Sequence, residues 1–152
     1  MTGRIQVVGG AILDSLTDPT RMLVARRTAP EQFAGLWEFP GGKVEPGEQC
    51  EAALHRELRE ELGIGVRLGQ ELPAGTASGW RLNEKASMRV WLAEISDGVP
   101  LPLEDHDQLR WISTTKRDEA LSLPWIPADF PIVRALLESL GTLVGSNAPA
   151  EL

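Results

Sequence analysis

The 152-residue chain has one cysteine, two histidines and no tyrosine. A single thiol, Cys50, excludes an internal disulfide framework and a zinc site built from several cysteines. His55 and His106 alone do not make a histidine-rich metal cage. No stretch approaches the roughly 18 consecutive apolar residues of a membrane span. The start, Met1-Thr2-Gly3-Arg4 leading into Ile5-Gln6-Val7-Val8, carries neither the apolar core nor the cleavage site of a secretory leader. Positive charge is also short: 15 Lys and Arg face 22 Asp and Glu, a formal net charge of −7. That balance argues against a partner presenting a polyanionic backbone, such as DNA or RNA, and against an anionic membrane surface. A small phosphorylated molecule stays compatible if cations bridge it to the protein. The location these absences predict is the cytoplasm.

What remains reads as one domain over residues 1–140, followed by a small and polar tail at 141–152 that is expected to be disordered. Ile5 to Leu13 reads as a strand, Asp14 to Thr20 as a turn, and Met22 to Ala25 as a buried strand ending at Arg26-Arg27. Thr28 to Gly35 reads as loop. Leu36-Trp37-Glu38-Phe39 alternates until Pro40-Gly41-Gly42 stops it. The segment from Glu48 to Leu62 lacks Gly and Pro, repeats leucine at 54, 58 and 62, and meets Gly63, which predicts a helix. Strands are expected near Gly65–Leu72, Ala86–Ile95 and Leu109–Ile112, and helices at Thr115–Leu121 and Pro131–Leu140. The irregular mixture points to an α+β fold.

The chemistry concentrates on the long helix. Glu57, Glu60 and Glu61 stand at i, i+3 and i+4, so their carboxylates share one face beside the leucine stripe. Like charges at that spacing repel. A hard divalent cation is the natural compensation, since Mg²⁺ takes oxygen ligands and bridges carboxylates to phosphates. The triplet belongs to a longer run, Gly42-x5-Glu48-x7-Arg56-Glu57-Leu58-x-Glu60-Glu61-x-Gly63-Ile64. That run resembles the Nudix box, the signature of hydrolases of nucleoside diphosphates linked to another group, with every defining position present. The wider resemblance is to the MutT-type branch. It spans roughly Gln6 to Leu137 and includes Arg26-Arg27, Leu36-Trp37-Glu38-Phe39-Pro40-Gly41-Gly42-Lys43 and Leu109-Arg110-Trp111.

The resemblance implies an α/β/α sandwich around a mixed sheet, with the box as a loop–helix–loop. It implies that Glu57, Glu60 and Glu61, with the carbonyl of Gly41, hold Mg²⁺, for which Mn²⁺ substitutes. It also implies that Glu48 and Arg56 form an internal ion pair, that Leu58 and Ile64 are core, and that Arg27 and Lys43 face the substrate. Such enzymes carry a Glu six residues before the Trp of the late strand, serving as metal ligand or general base. Here that position is Asp105 with Glu104 beside it, and either carboxylate is a candidate.

The remaining candidates follow from residue chemistry. Asp129, in Pro124-Trp125-Ile126-Pro127-Ala128-Asp129, stands where the family often has a base-reading Asn. An ionised Asp only accepts, which suits the amino group of cytosine or N7–H of 8-oxoguanine better than uracil. The bland alternative is a helix cap. Trp91 and Trp111 lie in strand-like runs and read as core. Trp80 and Phe39 are candidates for stacking on or walling a base. His106, in an acidic loop, and His55, on the helix surface, read as solvated, and Cys50 as incidental.

The expected reaction is Mg²⁺-dependent hydrolysis of a (deoxy)nucleoside triphosphate of CTP, dCTP or 8-oxo-dGTP type to the monophosphate and pyrophosphate. Alternatives are an enzyme acting on ADP-ribose or another nucleoside diphosphate derivative, and a non-catalytic nucleotide-binding module. Monomer and homodimer are both left open.

Overall fold

The computed structural model describes residues 5–147, with side chains through residue 141. Strand β1 (Ile5–Leu13) is followed by β2 (Arg21–Arg27), β3 (Trp37–Glu38), β4 (Gly41–Lys43), helix α1 (Cys50–Leu62) and β5 (Gly65–Glu71). Then come β6 (Trp80–Arg81), β7 (Ala86–Asp97), β8 (His106–Ser113), a short α2 (Arg117–Leu121) and α3 (Phe130–Asn147). Single 3-10 turns sit at Glu31–Phe33 and Pro127–Asp129. The eight strands form one sheet in which β1 and β7 run parallel and the other pairings are antiparallel. The expected α+β class with a mixed sheet is what the chain adopts. Among the described residues, no helix is long and apolar enough to cross a membrane.

Alternation along the central strands creates two cores, because successive side chains leave opposite faces of a strand. Val8 and Ile12 of β1 and Leu23 of β2 pack with Leu54, Leu58 and Leu62 of α1. Ala11, Leu13, Met22 and Val24 pack on the other face with Ile132, Val133, Leu136, Leu137 and Leu140 of α3. Helices on both faces make the sandwich. Helix α1 ends where Gly63 takes the left-handed conformation (φ 72°), its N–H donating to the Arg59 and Leu58 carbonyls.

The sheet is split between β1 and β2. β1 and β2 pair only at Ile12↔Leu23 and Leu13↔Met22, then diverge. β3 fills the opening from the β2 side (Ala25↔Glu38, Arg26↔Trp37), and β4 fills it from the β1 side (Val7↔Lys43, Val8↔Gly42, Gly9↔Gly41). Phe39 and Pro40 connect them. The Pro-Gly-Gly run, expected only to stop a strand, therefore continues as one. Gly41 sits so close to β1 that a Cβ there would lie 1.9 Å from the Val8 carbonyl oxygen.

Other boundaries also differ from expectation. Trp80, read as near a loop, is in β6 opposite Met88. His106, read as solvated, opens β8 opposite Arg27 and is buried. Trp91 is core as expected, whereas Trp111 is half-buried beneath the Arg21 guanidinium. The last helix runs to Asn147 rather than stopping at Leu140. No proline stands between 141 and 147 to end it. Residues 148–152 lie outside the described residues.

Leu58 is fully buried against β1 and β2. Leu58→Ala is expected to cost about 3 kcal/mol, read as a lower urea midpoint with an unchanged slope.

Candidate functional site

Helix α1 delivers its acidic face to the split in the sheet. Arg56 is the hub there. Its Nε and Nη2 donate to the two carboxylate oxygens of Glu48 at 2.8 and 2.9 Å. Nη2 also reaches the Lys43 carbonyl at 3.1 Å, and Nη1 reaches Glu57 at 3.1 Å and Glu60 at 3.3 Å. One guanidinium thus fastens the loop after β4 to the helix and steadies two of the three glutamates. The Arg56 hydrogen bonds, helped by the Glu45 N–H, pull the Glu48 carboxyl down to about 2.

The glutamates differ in environment. Glu61 is buried and accepts a hydrogen bond from the Gly41 N–H at 3.1 Å. Burial pushes its carboxyl up to about 7, and Glu38 and Glu57 add to the rise against the opposing influence of His106. Glu57 is shifted upward by burial too, with Glu60 and Glu104 contributing against Arg56. Glu60 is about half exposed. Gly42 faces Glu57 so closely that a Cβ there would lie 2.2 Å from the carboxyl carbon.

These donors fit a hard divalent cation. They are carboxylates and a backbone carbonyl, their charge is only partly met by Arg56, and a glycine leaves space at the carboxylate that a methyl would fill. Among the described residues no three carboxylate, imidazole or thiol groups converge on one point. Glu57 and Glu60 turn toward Arg56, and Glu61 toward Gly41.

The second acidic group divides. Glu104, in a left-handed turn (φ 50°), lies near enough to Glu57 to raise its pKa. Asp105 is exposed and sits 3.9 Å from Arg27 Nη2. Arg27 is held from several sides: Nε donates to the Ala29 carbonyl at 2.6 Å, and Nη1 donates to Glu38 at 2.9 Å. The same Glu38 oxygen lies 2.7 Å from His106 Nε2. Burial lowers the imidazole pKa, but Glu38 and Glu61 outweigh it and hold His106 above its usual value. Its Nδ1 is buried without a partner. Three adjacent strands thus present Glu38, Arg27 and His106 side by side.

Next to them opens a cleft of about 310 Å³, at the small end of the roughly 300–1,000 Å³ typical of small-molecule sites. Arg27, Glu38, Phe39, Gly41, Lys43 and Asp129 line it, as does Phe33 from the loop after β2. Trp80 does not: its ring packs against the α3-side core and its Nε1 is buried without a partner. Phe39 is 2% exposed and stacked on Trp125 with centroids 5.7 Å apart. Asp129 is 4% exposed and accepts one hydrogen bond, from the Phe39 N–H at 3.3 Å. It makes no side-chain cap for α3.

Asp129 corrects the premise that it is an ionised acceptor. Burial, reinforced by Glu38, pushes its carboxyl up to about 8. A carboxyl raised in this way favours its protonated form, which like Asn both donates and accepts. Sequence reasoning also missed Glu38, His106 and Phe33. Glu38 is the polar member of an alternating strand and His106 sits in an acidic run, and neither pattern says that they meet across β2. Phe33 lies in a stretch with no periodicity.

A profile described as NUDIX domain matches residues 5–136. The CTP pyrophosphohydrolase of Escherichia coli K12 is 40% identical over 119 residues, 77% of this chain and 82% of its own. The 8-oxo-dGTP diphosphatase of the same strain is 31% identical over 140 residues, covering 88% of this chain and 96% of its own. The solution structure of the E. coli ORF135 protein matches at a TM-score of 0.71 and 34% identity, covering 99% of this chain and 96% of that one.

Two outcomes follow from this geometry. Gly42→Ala is expected to fold, since the group it strikes is the mobile end of Glu57. Titration with Mn²⁺ should nonetheless show affinity at least about tenfold weaker. For Asp129, the folded pKa lies above the unfolded one, so the native state binds more protons and stability falls as pH rises from about 4 to about 8. Asp129→Asn should therefore melt close to wild type at pH 4 and about 4 °C or more above it at pH 8.5, measured by calorimetry.

Proposed function

The chain belongs to the Nudix hydrolase family, and on that premise we propose that it hydrolyses a (deoxy)nucleoside triphosphate to the monophosphate and pyrophosphate with Mg²⁺, or Mn²⁺ in its place. The observation that carries this reading is a small cleft lined by Asp129 together with Gly41 and Gly42, the two glycines that stand against Glu61 and Glu57 of α1. The base enters the cleft and the phosphates lie toward Glu57, Glu60 and Glu61. The preferred substrates are of CTP, dCTP or 8-oxo-dGTP type. Both cytosine and 8-oxoguanine present a donor next to an acceptor, which a protonated Asp129 can meet. Relatives named for CTP and for 8-oxo-dGTP support the same pair. Uracil offers such a pair as well, so the contrast with uracil drawn from an ionised Asp129 loses its basis.

Glu57, Glu60, Glu61 and the Gly41 carbonyl would hold the cation. Bound there, it would neutralise phosphate charge and acidify the attacking water. Arg27 and Lys43 supply positive charge from the cleft wall. Glu38 and His106 keep Arg27 in place. The proton of the water passes to a carboxylate, and the proximity of Glu104 to Glu57 favours Glu104 over the exposed Asp105, which faces Arg27.

The test is release of pyrophosphate from CTP, dCTP, 5-methyl-dCTP, dGTP and 8-oxo-dGTP, with ADP-ribose read by its monophosphate products. Turnover of a cytosine or 8-oxoguanine nucleotide is expected, abolished by EDTA and by Glu60→Gln. Glu104→Gln should lower kcat by about 10²–10⁴-fold, and Asp105→Asn by much less. Monophosphates from ADP-ribose without pyrophosphate from any triphosphate would replace this reading with the diphosphate-derivative one. Silence on all six with metal bound would point to another diphosphate substrate first and to a binding module second.

A further inference from the structure

We propose that Phe33 is the surface on which the nucleobase stacks, an inference that rests on the nucleotide reading of the cleft. The chain has eight aromatic residues, three Phe and five Trp. Seven of them belong to, or pack against, one of the two hydrophobic cores, and Phe33 belongs to neither. Phe33 instead lines the cleft and is half-buried, while Glu31, Gln32, Ala34 and Gly35 around it are exposed. An aromatic ring that the core does not use, partly withdrawn from water at the wall of a small cleft, is suited to a flat ligand.

The other aromatic candidates are less available. The Trp80 ring is packed into the core, and Phe39 is nearly inaccessible and stacked on Trp125. Phe39 contributes to the wall, but its ring is held from behind and covered. Phe33 also shares the cleft with Leu82 and Met88, so flexible apolar and thioether groups complete the lining.

The backbone holds Phe33 in place although it lies on a loop. Its N–H donates to the Pro30 carbonyl at 2.9 Å and its carbonyl accepts from the Leu36 N–H at 3.0 Å. The loop is closed at its base by Gly35 N–H to the Arg27 carbonyl (2.8 Å) and Arg27 N–H to the Leu36 carbonyl (2.9 Å). Thr28 N–H donates to the Asp105 carbonyl at 2.8 Å. One loop therefore connects the base wall, the arginine toward the phosphates and the acidic turn.

Stacking accepts every base because each has a π face. Phe33 thus governs how tightly a nucleotide is held, and the polar floor governs which one. The test measures binding of CMP and 8-oxo-dGMP by calorimetry in EDTA, so that metal and turnover play no part. Phe33→Ala is expected to weaken whichever of the two the wild type binds by about tenfold or more. Phe33→Trp is expected to restore that affinity. Phe33→Leu keeps the apolar bulk without the π face and should melt with wild type yet bind like the alanine variant. In turnover, KM should rise while kcat changes little. Affinities of the alanine and leucine variants within twofold of wild type would overturn the assignment, as would failure of the tryptophan variant to restore binding. A wild-type protein that binds neither monophosphate would fail the nucleotide reading itself, and the assignment with it.

Discussion

The fastening of one loop to one helix by the Arg56 guanidinium underlies the arrangement. Five donors in a planar fork allow a single side chain to grip Glu48 with two bonds, touch a backbone carbonyl and still face Glu57 and Glu60. Lysine, with one ammonium point, does not span those partners. The loop so held carries Gly41 and Gly42 against β1 and α1, which brings a backbone N–H to Glu61 and leaves room beside Glu57. Without that fastening the acidic face of α1 would look into open solvent, and the cleft would lose one wall.

The second constraint is electrostatic. Acids outnumber bases across the chain and around the site, and burial keeps several of them from ionising freely. Glu61 and Asp129 both have raised pKa values, and each is influenced by Glu38. Glu38 itself holds Arg27 and His106, so its carboxylate ties β3, β2 and β8 together at the cleft. The two raised acids have different surroundings. Glu61 stands at the acidic helix end, where a cation would favour its ionised form. Asp129 is buried at the cleft wall with Glu38 nearby, and both disfavour its charged form. Both are carboxyl groups raised by burial, and their surroundings set the charge each favours.

Much of the fold was legible because its signals are local. The leucine spacing and Gly63 marked α1, the alternating or apolar runs marked β1, β2, β5, β7 and part of β8, and the nine-position run identified the family. The errors have a common origin. Gly41–Lys43 and Trp80–Arg81 are strands only because β1 and β7 lie alongside to pair with them, and two or three residues carry no periodicity of their own. His106 looked like a loop residue because its acidic neighbours dominate the local sequence, whereas it pairs with β2 and bonds Glu38, 68 positions away.

Spacing along the chain already sets which groups lie within one helix turn or one box of each other: the glutamate face, its arginine and the glycines before it. Those relations follow from covalent spacing and the 3.6-residue repeat, which survive without any tertiary contact. Folding is what buries Asp129 and raises its pKa, brings Arg27, Glu38 and His106 together, and packs Trp80 into the core while Phe33 lines the cleft. Each of these depends on burial and on neighbours from distant segments, and solvation is a property of the folded surroundings, not of the residue.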